Sequence, residues 1–234
     1  MIISIHQPEH LPWLGFFHKM YLSDIFVLLD NVQYRKNYFQ NRNRIKTKEG
    51  FSWLTVPVLT KGKSYQLINQ VEINYTDNNW QKRIWNSIKQ NYSRAPFFAD
   101  FGPALQKLYC DSHWDKLVDL NSSLIKTVTA WLNIKKDLIF ASSLDIEGYS
   151  TDLLLKICQK LNADTYLSGK FGKEYLDETK FNNANIKVLY HQFTHPVYEQ
   201  LYKPFVPEMT AVDILMNHGD KSLNILIEGQ DIPH

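Results

Sequence analysis

The opening thirty residues constrain this chain more than any other stretch. Ile2 to Ile5 is an unbroken apolar run that passes straight into His6-Gln7-Pro8, and Ile25 to Leu29 is a second run, ending at Asp30. Short continuous apolar runs are the signature of strands buried on both faces. Between them, Trp13 to Ser23 has the length of a short helix. Strand, loop, helix and strand in that order begin a parallel α/β sheet, because parallel neighbours need a crossover between them.

The rest of the chain supports that beginning. Phe51 to Val58 and Ile68 to Ile73 read as strands, joined by a Lys-Gly-Lys turn at Gly62. Trp80, Ile84, Ile88 and Tyr92 recur every four residues, and Leu117, Leu120, Leu124, Val128 and Trp131 at three or four, which makes two helices with one apolar stripe each. Pro96 and Pro103 punctuate the segments between them. The α/β rhythm then returns, with strands at Leu138 to Phe140, Thr165 to Leu167 and Ile186 to Tyr190. A helix is expected over Asp152 to Leu161, and another from about Gly172. Thr210-Ala-Val-Asp213 has capping-box spacing, and Gly219 is a helix stop. The expected architecture is α/β: a mainly parallel, doubly wound, Rossmann-like sheet in a single domain over 1–234, with a helical insertion at about 77–135.

Composition narrows the function classes. A hydrophobic share of 44% against 21% charged residues excludes a disordered chain. Lys and Arg number 26 against 24 Asp and Glu, and that near-balance argues against a nucleic-acid coat or a polybasic membrane binder. The first residues carry no basic n-region, and no apolar run approaches the length of a membrane span, so the expectation is a cytoplasmic protein without a membrane span. Cys110 and Cys158 stand alone, which leaves neither a disulfide framework nor a thiolate zinc site.

Four segments have the residue types of a site. The loop His6-Gln7-Pro8-Glu9-His10-Leu11-Pro12-Trp13-Leu14-Gly15 follows the first strand, where open parallel sheets bind ligands. His6 and His10 are candidate acid/base groups, and Gly15 could let backbone approach a ligand. Pro8 and Pro12 forbid a regular helix across the two histidines, so their spacing is not a helical metal pair. The second segment, Arg35 to Lys48, holds Arg35, Lys36, Arg42, Arg44, Lys46 and Lys48 with no acid among them. Its guanidinium groups suit phosphate, with Asn41 and Asn43 on the opposite strand face as hydrogen-bonding partners. A solvated basic edge strand is the plainer alternative.

The third segment is Tyr166-Leu-Ser168-Gly169-Lys170-Phe-Gly-Lys173-Glu-Tyr175. A strand ending in Ser168 and Gly169 before a helix start suits an anion, with Lys170 or Lys173 as counter-charge and Tyr175 beside them. It lacks the spacing of a P-loop. The fourth holds His191 and His195, again directly after a strand. No carboxylate or thiolate completes a recognisable ligand pattern there, so no metal is expected.

Taken in order, IHQPEHLPWLGFFHKM, NRNRIK, WLTVPV, YLSGKFGKEYLD, HPVYEQ and AVDILMNHG resemble the WbqC-like family over residues 2 to about 219. Position 10 departs from the pattern, which more often has Tyr where this chain has His10. The resemblance implies a bacterial protein of O-antigen, related surface-polysaccharide or modified-sugar biosynthesis, without a settled reaction. A His-bearing loop after the first strand and a late Ser-Gly-Lys loop also look like HIGH-type nucleotidyl-transfer architecture.

The leading expectation is a transferase or amide-forming ligase acting on a nucleotide-linked or phosphorylated amino sugar. It would form an amide, acyl or aminoacyl product through an adenylate made from ATP with Mg2+, and no nucleic acid would be a partner. The alternatives are sugar-nucleotide-dependent glycosyl transfer or sugar modification without ATP, and a non-catalytic nucleotide- or carbohydrate-binding accessory protein. The whole-chain charge also conceals a contrast. Asn31 to Lys48 carries six positive residues and no negative one, leaving 20 positive against 24 negative elsewhere.

Overall fold

Five short apolar runs assemble into one sheet in the computed structural model, which describes residues 1–63 and 65–230. In chain order, β1 (Ile2–His6), α1 (Leu14–Tyr21) and β2 (Ile25–Leu28) lead into a hairpin of β3 (Arg42–Thr47) and β4 (Gly50–Thr55). Helices α2 (Trp80–Tyr92), α3 (Phe98–Cys110) and α4 (Leu117–Trp131) precede β5 (Asp137–Phe140), α5 (Ser150–Lys160) and β6 (Thr165–Ser168). Then come α6 (Glu178–Asn183), β7 (Lys187–Tyr190), α7 (Ala211–His218) and α8 (Ser222–Ile227). The sheet order is β5-β2-β1-β6-β7, and every pairing is parallel. Counting only these five by appearance, the order is 3-2-1-4-5, which is how a Rossmann-like sheet is wound. The antiparallel hairpin stands apart from it.

Two-residue alternation decides which face each side chain covers. Ile3, Ile5 and Val27 meet Leu153, Ile157 and Cys158 of α5 and Phe181 of α6. Phe26 and Leu28 point the other way, to Leu14, Phe17 and Met20 of α1. Every residue from Leu14 to Met20 is buried, so α1 is wrapped all round. The helices of 80–131 share that second core with α1, the hairpin and α7. They help to cover one face of the sheet.

Three local expectations give way to packing. Ile68 to Ile73 is not a strand but a 3-10 turn at Ile68–Gln70 followed by isolated bridges, one of them Val58 to Ile73. Ile68, Val71 and Ile73 all enter the same core, and a straight strand would send residues 68 and 71 to opposite faces. Helix α3 forms where two prolines suggested only punctuation. Leu105 and Tyr109, four apart, anchor it, and Pro103 lies inside it. Around Gly172 the chain makes a 3-10 turn over Lys170–Glu174, and α6 begins later, with the Asp177 carboxylate accepting from the Thr179 N–H.

Candidate functional site

β1 and β6 are neighbours whose crossovers part. The β1–α1–β2 crossover covers one face and β6–α6–β7 the other, so the carboxyl ends of β1 and β6 form the switch point, the place where sheets wound this way have their ligand crevice. His6 and Gln7 end one strand, Ser168 and Gly169 the other, and His191 follows β7 with its N–H on the Ser168 carbonyl at 2.8 Å. Three of the four sequence segments therefore meet on one sheet edge.

His6 lies on the α1 side, half-buried, 4.9 Å edge-on to Phe16 and 6.5 Å from the stacked ring of Phe26. Its Nδ1 is 3.0 Å from the Gln7 carbonyl oxygen. A carbonyl only accepts, so the hydrogen is on Nδ1 and Nε2 carries the lone pair. Desolvation, followed by the positive charge of Lys19, pushes the imidazole down to about 3, so it is neutral at physiological pH. Lys19 is 2% exposed, with its Nζ donating to the Ile5 carbonyl at 3.0 Å. Burial brings that ammonium down to about 7, against the opposing pull of Glu9. Glu9 is 6% exposed, and burial raises its carboxyl to about 8, with Lys19 pulling it back. The crevice thus holds an imidazole, an amine and a carboxyl linked by charge.

His18 of α1 adds a second pair. Its Nδ1 is 2.8 Å from Nε2 of His191, and the rings of both lie against Phe193. Burial lowers His18 to about 4 and His191 to about 3, the latter also under the charges of His18 and Lys19. Two neutral imidazoles this close share one N–H between them. His195 is separate: its Nδ1–H donates to the Pro196 carbonyl at 2.9 Å, and its ring stacks 6.5 Å from Trp13 and 6.2 Å from Tyr198.

His10 is enclosed and fully engaged. Asn121 Nδ2 donates to the carbonyls of Pro8 and Gln40, so Asn121 Oδ1 is the acceptor for His10 Nδ1–H at 3.2 Å. His10 Nε2 then accepts from the Tyr109 hydroxyl at 3.0 Å. Burial, only partly offset by that Asn121 bond, takes the ring down to about 4. His10 ties the loop to α3 and α4. Gln7 Oε1 accepts from Gln40 Nε2 at 2.7 Å, Asn43 Nδ2 donates to the Leu11 carbonyl at 2.8 Å, and Asn41 Nδ2 donates to Val56. These amides brace the loop and the hairpin. A Cβ on Gly15 would stand 2.5 Å from the Trp13 indole, so Gly15 makes room for that ring.

The basic strip divides by face, as its alternation predicts, with one exception. Asn41, Asn43 and Ile45 are buried, while Arg42 and Arg44 lie outward. Arg42 covers Trp53 at 4.4 Å, Arg44 covers Phe51 at 5.1 Å and binds Glu208 Oε2 at 2.8 Å, and Arg35 covers Tyr38 at 4.8 Å. Lys46 departs from the pattern. It is 1% exposed, its Nζ donates to the Thr47 carbonyl, and its charge faces Asp213. At the β6 end, the space in front of Gly169 is open, and a Cβ on Gly172 would run into Ser168 Oγ. Lys170 and Lys173 are exposed there, beside Phe171 and Tyr190. Tyr175 is also exposed.

Glu9, His18 and Lys19 were not among the sequence candidates. For His18 and Lys19 the signal was present in Leu14-Gly-Phe-Phe-His-Lys-Met-Tyr, where two polar residues interrupt a helix too short to spare a solvent face. Among the described residues, no group of three or more His, Cys, Asp or Glu is placed to hold a metal ion, and no helix is long and apolar enough to cross a membrane. Two surface hollows, one beside Lys156 and one beside Tyr202, contain none of the residues at the carboxyl ends of β1 and β6. The chemistry points to the crevice, and shape alone does not.

Fold and crevice together define a doubly wound α/β protein with a histidine-lined edge at its switch point. The model of the WbqC-like protein family matches residues 7–225, and the chain belongs to that family. It is 33% identical over 225 residues to the uncharacterized protein Rv1507c of Mycobacterium tuberculosis, covering 96% of each chain. No solved structure matches.

Proposed function

We propose that this protein is a group-transfer enzyme that forms an amide on an amino sugar carrying a nucleotide or phosphate. The observation that carries the reading is His6, a neutral imidazole at the β1–β6 switch point with its Nδ1–H held by Gln7 and its Nε2 lone pair free. In this reading the acyl or aminoacyl group arrives as an adenylate made from ATP. The amine nitrogen attacks the acyl carbon, the C–N bond forms as the C–O bond to phosphate breaks, and AMP leaves with that electron pair. His6 Nε2 takes the proton from nitrogen. Lys170 and Lys173, exposed at the turn after β6, are the counter-charges for the phosphates. Mg2+ would come with the nucleotide, since it usually binds phosphate and few protein ligands. Membership in the WbqC-like family supports a place in surface-polysaccharide or modified-sugar synthesis.

The test is ATP–pyrophosphate exchange with a panel of amino and carboxylic acids, followed by amide formation on amino-sugar phosphates. Exchange that persists in His6→Gln, while transfer falls by about 10²–10⁴-fold, is the expected result for a general base. Saturation-transfer signals with UDP- or dTDP-sugars and none with ATP would replace this reading with glycosyl transfer.

A further inference from the structure

The β3–β4 hairpin buries one face and leaves the other uncovered. Asn43, Ile45 and Leu54 are at most 2% exposed, whereas Phe51 is 47% and Trp53 39% exposed. The antiparallel register sets Arg44 opposite Trp53 and Arg42 opposite Thr55, so the outward residues of both strands stand side by side. From there a row of rings runs on without a break. Phe51 meets Trp53 edge-on at 6.2 Å, Trp53 meets Phe39 at 6.0 Å, and Phe39 meets Tyr38 at 5.3 Å. Guanidinium groups lie along this row: Arg44 between Phe51 at 5.1 Å and Trp53 at 5.7 Å, Arg42 on Trp53 at 4.4 Å, and Arg35 on Tyr38 at 4.8 Å. Lys36, next to Arg35, and Lys48, in the hairpin turn, are exposed as well. Glu49 in that turn and Glu208 on Arg44 bring acid to the border.

Large exposed rings in one contiguous row mark a surface that meets a partner. Charge sets the sign of that partner: Asn31 to Lys48 carries six positive residues and no negative one, against 20 positive and 24 negative in the rest. The whole-chain balance excludes a molecule that is basic all over, not one that is basic on a single face. Ring geometry then separates two polyanions. A single strand of nucleic acid stacks its bases on open ring faces, and here Tyr38, Trp53 and Phe51 each carry a guanidinium over the ring. A bilayer surface needs no open ring face, because aromatic side chains settle at headgroup level while neighbouring Arg and Lys meet lipid phosphates. We propose that the outer face of the hairpin, continued by residues 35–39, docks this protein on a membrane surface rich in anionic phospholipid. Arg35, Arg42 and Arg44 meet the phosphates, and Tyr38, Phe51 and Trp53 enter the headgroup layer. The docking is independent of the transfer reading, since the hairpin stands apart from the sheet whose edge carries His6.

The experiment sediments the full-length protein with vesicles of phosphatidylcholine alone and of phosphatidylcholine mixed with phosphatidylglycerol. Binding to the mixed vesicles only, weakening as salt rises, is the expected result. Tryptophan emission should shift to the blue on binding, and Trp53→Phe should lose most of that shift while it still sediments. Arg42→Gln with Arg44→Gln should weaken binding about tenfold or more, since one cation near an anionic surface is worth about fivefold. Lys156→Gln with Lys160→Gln removes the same charge from the exposed side of α5 and should change binding less than about twofold. Matching circular dichroism and melting temperatures show that each variant is folded. No binding to either vesicle, or equal weakening by the α5 pair, would overturn the inference. So would a single-stranded oligonucleotide that binds more tightly than the mixed vesicles and is released by the same arginine pair, which would give the face to nucleic acid.

Discussion

Gly15 lies so close to Trp13 that a Cβ added to it would stand 2.5 Å from the indole. The ring in turn meets Phe193 at 5.4 Å and His195 at 6.5 Å, so it joins the first loop to the segment after β7. Gly15→Ala should therefore displace the indole and cost about 1–3 kcal/mol, the usual penalty of overpacking. Urea unfolding measures the loss, and tryptophan emission reports the displaced ring. In a Trp13→Ala background the same change should cost close to nothing, because the obstruction is gone. A penalty that survives in that background would mean the glycine is needed by the backbone instead.

Four imidazoles are held neutral by burial: His6 and His191 at about 3, His10 and His18 at about 4. In the unfolded chain they titrate near 6.5. The unfolded state therefore takes up protons first as pH falls. Stability should drop from about pH 6.5 downward, levelling off only where the folded state itself protonates. His10→Gln removes one of the four. It should cost about 1–3 kcal/mol near neutrality through the lost Tyr109 and Asn121 bonds, and make the acid slope shallower. Chemical denaturation at a series of pH values reads both quantities. An unchanged slope would show that His10 does not titrate differently in the two states.

Glu9 has the opposite sign. Its folded value, raised to about 8, lies above the ordinary carboxylate range because the charged form is desolvated. An acid shifted upward contributes stability at low pH and loses it as pH rises toward the folded value. Glu9→Gln should consequently raise the melting temperature most at pH 8 and hardly at all at pH 5, with a gain of about 1–3 kcal/mol at the alkaline end. The charges that bear on the comparison are Lys19 from α1 and, through it, His6 and His191. A gain in stability bought by losing an acid is the trade expected of a residue kept for binding. Destabilisation at every pH would instead make Glu9 a structural group.

The sheet was legible because its strands are continuous apolar runs that end in polar loops, and β1, β2, β5, β6 and β7 all lie where those runs do. The crevice edge was legible for the same reason, since polar density after a buried strand marks a carboxyl end. What could not be read were the partners each polar residue finds. Asp213 sits at the third position of α7, where a capping acid would reach back to the helix start. In the structure it accepts from the Tyr92, Tyr198 and Gln200 side chains at 2.7 to 2.8 Å and faces Lys46. Those partners lie up to 121 residues away in sequence, and no local spacing encodes them. Lys46 was expected outward with Arg42 and Arg44 by alternation alone. It turned inward instead, with its Nζ on the Thr47 carbonyl and its charge facing Asp213. His10 shows the same limit, its role set by Tyr109 and Asn121 on distant helices.

Two basic clusters remain as rivals for the phosphate, and a kinetic split separates them. Arg44 is committed to Glu208 and lies over Phe51, whereas Lys170 and Lys173 stand exposed at the turn that follows β6. Lys170→Ala with Lys173→Ala should raise KM for a phosphorylated acceptor by about ten- to a hundredfold, one or two charge-assisted contacts, while kcat changes little. The same double variant should leave KM for the unphosphorylated sugar unchanged. Arg44→Ala should alter neither constant and cost no more than about 1 kcal/mol of stability, as exposed ion pairs do. Should Arg44→Ala raise KM for the phosphorylated acceptor alone, the hairpin face is the phosphate site and the turn after β6 is not. The reason to expect the first outcome is geometric. Only the turn after β6 shares the sheet edge on which His6 presents its free nitrogen.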